Sequence, residues 1–205
     1  MKGDTVLPLG SFEVKSGKLI VSDPCYDRKK WCCGSVDAAA NGVWYAAARL
    51  RTYHYHVGGK LADDTRAREL LAWTEPVNWK GNKLYGGGPW DQAAFVVGVD
   101  SGQVGIFDSK AYQDNRYGRK LLEEQTKTGA AHFTLEEAKR DPTPGYWYWA
   151  VCNLTLNKLH KLGDILQGGA VTCSGWGDGS YHAFCRHTNG KVVAIKVVFI
   201  NAKEH

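Results

Sequence analysis

Tyr181-His182-Ala183-Phe184-Cys185-Arg186-His187, then Thr188-Asn189-Gly190, then Lys191-Val192-Val193-Ala194-Ile195-Lys196-Val197-Val198-Phe199-Ile200, is the stretch that sets the fold class. Two runs rich in β-branched and aromatic residues flank Asn-Gly, and a tight turn between strands needs positive φ at its centre, which Asn and Gly adopt with the least steric cost. The stretch therefore predicts a hairpin and antiparallel pairing. Just upstream, the apolar run Ala170 to Cys173 leads into Ser174-Gly175-Trp176-Gly177-Asp178-Gly179-Ser180-Tyr181, three glycines at alternate positions around one carboxylate. Such a backbone is free to take positive φ and to bring its amides close to a ligand or another chain.

Working outward, Phe12 to Val21 reads as strand with a hairpin-like turn at Ser16-Gly17-Lys18. Gly42 to His56 alternates, with Trp44, Ala46, Ala48 and Leu50 on one face and Arg49 and Arg51 on the other. Ala93 to Val99 and Val104 to Phe107, separated by Ser101-Gly102, read as a second hairpin, and Tyr146 to Leu156 reads as a further strand. Helix-like text is confined to Asp63 to Trp73, to Ser109 to Glu124 with a break expected near Gly118, and to Thr134 to Arg140. Thr134 and Glu137 have capping-box spacing, and Asp141-Pro142-Thr143-Pro144-Gly145 ends that helix. No internal repeat is visible. The fold class is mainly β: an antiparallel β-sandwich or barrel with two or three short helices, in a single domain spanning residues 1–205 with excursions at 58–90 and 109–145.

The chain has 205 residues, 43% of them hydrophobic and 12% aromatic, which excludes a disordered polymer because so much apolar surface collapses out of water. Lys and Arg outnumber Asp and Glu by 26 to 21, spread along the chain, so charge alone does not nominate a nucleic acid. No stretch approaches the roughly 18 apolar residues of a membrane span, and no signal peptide is seen. A soluble, cytoplasmic protein with no membrane partner is expected. Six cysteines, two of them adjacent at Cys32-Cys33, form no dense disulfide framework, and reduced thiols are the default.

Ser16-Gly17-Lys18-Leu19 running into Asp23-Pro24-Cys25, then Gly42 to Arg51, Val99-Asp100-Ser101-Gly102 with Phe107-Asp108, and Ser174 to Tyr181 with Gly190-Lys191-Val192 and Phe199 occur in an order that resembles the bacterial family called domain of unknown function 4241. The resemblance runs from about Ser16 to Phe199. It implies a single, predominantly β domain and carries over no established catalytic residue. The chain departs from the family pattern in Gly58 to Trp90 and Tyr112 to Arg140, where a specialised partner surface would lie.

Asp23, Asp100, Asp108 and Asp178 each end a strand-like run, so they could converge into an oxygen-rich site or an acid–base pair; equally, each could brace its own turn by accepting amide hydrogen bonds. Cys25 could meet His182 or His187 as a thiolate–imidazole pair, or be a small buried hydrophobe. His54 and His56 share one strand face and could bind a metal, or form an exposed rim. Tyr146-Trp147-Tyr148-Trp149, read as strand, offers one face to the core and one as a stacking platform. The Gly-rich loop opens no helix and lacks a Gly-Lys-Ser/Thr ending, so dinucleotide and P-loop readings fail.

The sequence favours a binding or interaction module with its ligand at the corner loops: Asp23, Asp100, Ser101, Gly102, Trp176, Gly177, Asp178, Gly179 and Tyr181, with glycine amides as donors and Trp176 and Tyr181 as apolar walls. No cofactor or metal is expected, and the partner is an unknown small ligand or protein, with nucleic acid not favoured. The alternatives are a hydrolase with Asp178 or Asp100 as general base, with or without a divalent cation, and a protein-binding inhibitor or immunity-type factor acting through Trp79 to Trp90.

Overall fold

The computed structural model describes residues 4–75, 89–92, 94–156 and 162–201. Among the described residues, eleven strands and three helices follow in the order β1 (Thr5–Val14), β2 (Lys18–Ser22), β3 (Gly34–Asp37), β4 (Gly42–Val57), β5 (Lys60–Trp73), β6 (Phe95–Val99), β7 (Gln103–Asp108), α1 (Asn115–Lys127), α2 (Leu135–Arg140), α3 (Gly145–Thr155), β8 (Gly163–Leu166), β9 (Gly169–Cys173), β10 (Gly179–Thr188) and β11 (Lys191–Val198). They form two open antiparallel sheets, β1-β4-β5-β11-β10-β6 and β3-β2-β7-β9-β8. Of the two expected architectures this is the sandwich, not the barrel. Phe12, Trp44, Leu70 and Ile195 from the first sheet meet Leu19, Val21, Val104 and Ile106 from the second in one core.

A third layer covers the second sheet. Its outer side chains Ile20, Phe107, Leu166 and Val171 pack against Tyr112, Trp147, Val151 and Leu154. A sheet covered on both faces loses its polar alternation, which is why every residue of β7 is buried. The Asn189-Gly190 turn joins β10 to β11 as expected, with φ of 50° and 74°. The Thr134–Glu137 capping box is also present and starts α2.

Three local expectations give way to tertiary context. Tyr146 to Leu156 is not a strand but lies largely in α3, because Trp147, Val151 and Leu154 recur at helical spacing and fit the covered sheet together. Asp63 to Trp73 is not a helix; it is the second arm of a long hairpin, paired with β4 from Tyr45↔Trp73 to Val57↔Lys60. Leu70 and Leu71 are both buried there, Leu70 in the core between the sheets and Leu71 on the outer face in a cluster with Ala47, Trp73, Ala194 and Trp90, which hides the period of two. Helix α1 does not break at Gly118; a Cβ there would lie 2.2 Å from the Cα of Trp147, so glycine is what lets α1 and α3 touch.

Neither of the other turns read as hairpins is one. The chain leaves β1 in the first sheet and enters β2 in the second, and it does the same between β6 and β7. These are arches across the core. They also reveal a repeat that the sequence reading missed: Val14-Lys15-Ser16-Gly17 leads to Asp23 at the same interval as Val99-Asp100-Ser101-Gly102 leads to Asp108. Strands β2 and β7 lie side by side and antiparallel, so each strand's terminal Asp reaches the arch that enters the other.

Candidate functional site

One rim of the sandwich is built where β2 and β6 end and β10 begins. Asp23 is fully buried there, and its carboxylate accepts the backbone amides of Cys25 (2.8 Å), Asp100 (2.8 Å) and Ser101 (2.7 Å) and the Ser101 hydroxyl (2.6 Å). Four donors fill both oxygens. Behind it, the Gln103 side chain donates to Ser101 Oγ (3.3 Å) and accepts from the Thr155 hydroxyl (2.7 Å), extending the polar chain beneath α3. Tyr112 donates its hydroxyl to the Tyr26 carbonyl (2.6 Å), while the Tyr26 hydroxyl donates to the Asp100 carboxylate. That carboxylate, the largest influence on the phenol, pushes Tyr26 above its ordinary pKa.

The Gly-rich loop arrives at the same rim. Gly179 is the register partner of Val99, so Asp178 and Asp100 are neighbours at the strand ends. Asp178 is exposed and makes no hydrogen bond or ion pair among the described residues. Within the loop, Tyr181 and Ser174 donate their hydroxyls to the Gly177 carbonyl (2.7 and 2.8 Å). Tyr181 is therefore a brace rather than a wall: its ring is buried edge-on to Phe199, because residues 181, 183 and 185 face the core. Trp176 points the other way. It is 53% exposed, packed at a 46° tilt against Tyr53 with ring centroids 5.0 Å apart, and covered by the Arg66 guanidinium at 5.3 Å. Arg66 is fixed in turn by Asp64 (2.7 Å) and the Gly175 carbonyl (3.3 Å).

The fold thus gathers Asp23, Asp100, Ser101, Gly102 and the Trp176 to Gly179 loop, and sends Asp108 to the opposite end. There its carboxylate accepts the amides of Lys15 (2.7 Å), Ser16 (2.8 Å) and Lys110 (2.7 Å). Burial alone would raise the Asp108 carboxyl, but the amides of Ser16 and Lys15 outweigh it and hold the group below its ordinary pKa.

Other sequence candidates separate. Cys25 follows β2 of the second sheet, whereas His182 lies on the outer face of the first, away from the core-facing Tyr181 and Ala183. His187 sits about 26 Å along β10 from the rim and pairs with Asp91 at 2.6 Å. Desolvation first, and the Asp23 carboxylate second, push the Cys25 thiol well above its ordinary value, the reverse of what a thiolate nucleophile requires. His54 pairs with Asp63 at 2.6 Å, and no group of three or more His, Cys, Asp or Glu gathers as a metal-ligand set among the described residues. In α3, Trp147 is buried against Phe107 and Tyr112, so residues 146–149 do not form the two-faced aromatic strand expected as a stacking platform. Most of Trp79 to Trp90 lies outside the described residues.

A family model described as "Protein of unknown function (DUF4241)" matches residues 12–197. The chain belongs to that family. No curated protein and no solved structure matches it. For this DUF4241 chain the matched span covers both arches and the Gly-rich loop, the parts that build the rim. Among the described residues no helix is long and apolar enough to cross a membrane. Sequence reasoning missed Tyr26, Tyr53, Arg66 and Tyr112 at the rim. The shared Val-x-Ser-Gly spacing before each Asp was the available signal for the arches; nothing local pointed to Tyr53 or Arg66.

Proposed function

We propose that this protein is a binding module whose partner is another protein, engaged at the rim that carries Trp176, Asp100 and Asp178. The observation that carries this reading is the Trp176–Tyr53–Arg66 cluster. Trp, Tyr and Arg dominate the energetics of protein interfaces, and a half-exposed Trp held rigid before binding loses little side-chain entropy when covered. Beside it, β4 and β5 run beyond their other partners: β1 pairs β4 only as far as Leu50, and β11 pairs β5 only from Glu69 onward. The remaining two-stranded ribbon exposes Tyr55 (46%), Val57 (61%) and Leu61 (64%), apolar surface that a partner would cover. Asp100 and Asp178 supply an acidic border to this patch, which suits a partner with a basic contact region.

The chemistry of the corner favours binding over hydrolysis. At this rim Asp23 spends both oxygens on three amides and the Ser101 hydroxyl, and Asp100 accepts the Tyr26 hydroxyl, which among the described residues leaves Asp178 as a lone exposed carboxylate. The test is affinity capture followed by titration of the recovered partner against the wild type, Trp176→Ala and Trp31→Ala. Trp31 is 86% exposed and serves as the control for loss of a surface Trp. Trp176→Ala is expected to weaken binding about 30-fold, as for a central interface aromatic, with Trp31→Ala unchanged. Equal retention by all three proteins would refute this surface.

A further inference from the structure

At the Asp108 end, away from the Trp176 rim, the edge strands β1 and β8 draw together beside the start of α1 and leave a cleft of about 570 Å³. Phe12, Ile165 and Leu166 give it an apolar side, and Lys15, Lys110 and Tyr117 a polar one. A second hollow of about 320 Å³ shares Asp114, Tyr117 and Gln167 with it and adds Arg116 and Lys120.

The walls are fixed by contacts already made within the fold. Asp108 holds the amides of Lys15 and Lys110, the Asp108 amide donates to the Gly168 carbonyl (2.6 Å), and the Gln167 amide donates to the Tyr117 hydroxyl (2.9 Å). The charges divide unequally. Glu13 is paired with the Lys15 ammonium (2.9 Å), while the oxygens of Asp108 accept three amides and Asp114 accepts the amides of Arg116 and Tyr117 at the head of α1, bonds that orient these two carboxylates and leave their charge in place. The side chains of Lys110, Arg116 and Lys120 have no carboxylate partner among the described residues and stand exposed around the mouth. Across the two hollows Lys15, Lys110, Arg116 and Lys120 outnumber Glu13, Asp108 and Asp114, and a preformed hollow within the usual 300–1,000 Å³ range with one apolar wall and exposed cationic side chains at its opening is complementary to a ligand that is apolar at one end and anionic at the other.

We propose that this cleft binds a small amphipathic anion, its hydrocarbon or ring portion against Ile165 and Leu166 and its carboxylate or phosphate head at Lys110, with Arg116 and Lys120 extending the site for a longer head group. The site is independent of the protein-binding rim, and its failure would leave that reading untouched.

Octyl phosphate is the probe, titrated calorimetrically into the full chain, with inorganic phosphate and octanol as the head and body alone. One octyl phosphate per chain is expected, with affinity falling as salt rises. Inorganic phosphate and octanol should each bind at least tenfold more weakly. Lys110→Glu, an exposed change that leaves the core intact, should weaken octyl phosphate at least tenfold, as should Ile165→Trp, which fills the apolar side. Lys60→Glu on the β4–β5 ribbon should change nothing. Sedimentation with phosphatidylglycerol vesicles separates the sources: vesicle binding that Lys110→Glu abolishes identifies a lipid head group, and octyl phosphate binding without it identifies a free molecule. No saturable binding of octyl phosphate, or equal binding by wild type, Lys110→Glu and Ile165→Trp, would overturn the proposal.

Discussion

At the end of β2, Asp23 holds the amides of Asp100 and Ser101 at 2.8 and 2.7 Å; at the end of β7, Asp108 holds those of Lys15 and Ser16 at 2.7 and 2.8 Å. Each carboxylate also accepts the amide two residues further on, Cys25 in one case and Lys110 in the other. The two corners solve one problem in one way. An arch between sheets turns its amides inward where no strand can pair them, and a buried carboxylate from the neighbouring strand satisfies two at once. What differs is the remaining side chains. Asp100 stands where the other corner has Lys15, so one end of the sandwich has an acidic border and the other a cleft with cationic side chains at its mouth. The difference teaches that the Asp residues report architecture, while the positions between them carry the individuality of each end.

Removing the carboxylates tests the comparison most severely. Asp23→Ala strands four donors beneath the surface and should cost about 4 kcal/mol, while Asp108→Ala strands three and should cost about 3 kcal/mol, both read from urea denaturation. The corners lie a strand's length apart, so the double variant should be additive within about 0.5 kcal/mol. Costs below 1 kcal/mol at either corner, or a reversed order, would break the equivalence drawn here.

A gentler probe uses the arch glycines. Gly17 and Gly102 have φ of 65° and 67°, and a Cβ at either would meet nothing closer than 3.8 Å. Replacement by Ala at each should therefore cost the same, about 1 kcal/mol, through backbone conformation alone. Thermal melts that differ between the two variants would show that the arches are not equivalent.

The smallest effect concerns acid. Asp108 has a folded pKa below its ordinary 3.8, so its stabilising contribution is complete above that value and is lost as the pH falls through the depressed folded value. Asp108→Asn should therefore flatten the fall in stability between neutral and strongly acid pH relative to the wild type. An unchanged acid slope, measured by denaturation at a series of pH values, would contradict the assigned role of the Ser16 and Lys15 amides.

Legibility followed the range of the interaction. The loops at Asp23, Asp100-Ser101 and Gly177-Asp178-Gly179 were visible as turn chemistry, and their meeting at one rim follows from strand register. The roles of Tyr181 and Trp176 were not separable in advance, since which of two nearby aromatics faces the core depends on where the strand begins. Tyr53 and Arg66 were invisible as site residues, because they meet Trp176 only once a hairpin more than a hundred residues upstream folds over the loop.

By itself the sequence determined the antiparallel β character, the Asn189-Gly190 turn and the capped start of α2. Each rests on the φ/ψ preferences and hydrogen bonds of a few adjacent residues, which no distant contact needs to supply. Only the tertiary structure decided that Lys60–Trp73 is a strand, that Gly145–Thr155 is a helix, and that two turn signals lead across the core instead of back along a sheet. Those choices are set by which surfaces become buried together. The free energy of burying Trp147 or Leu71 against a covered sheet exceeds the small propensity differences that local sequence expresses.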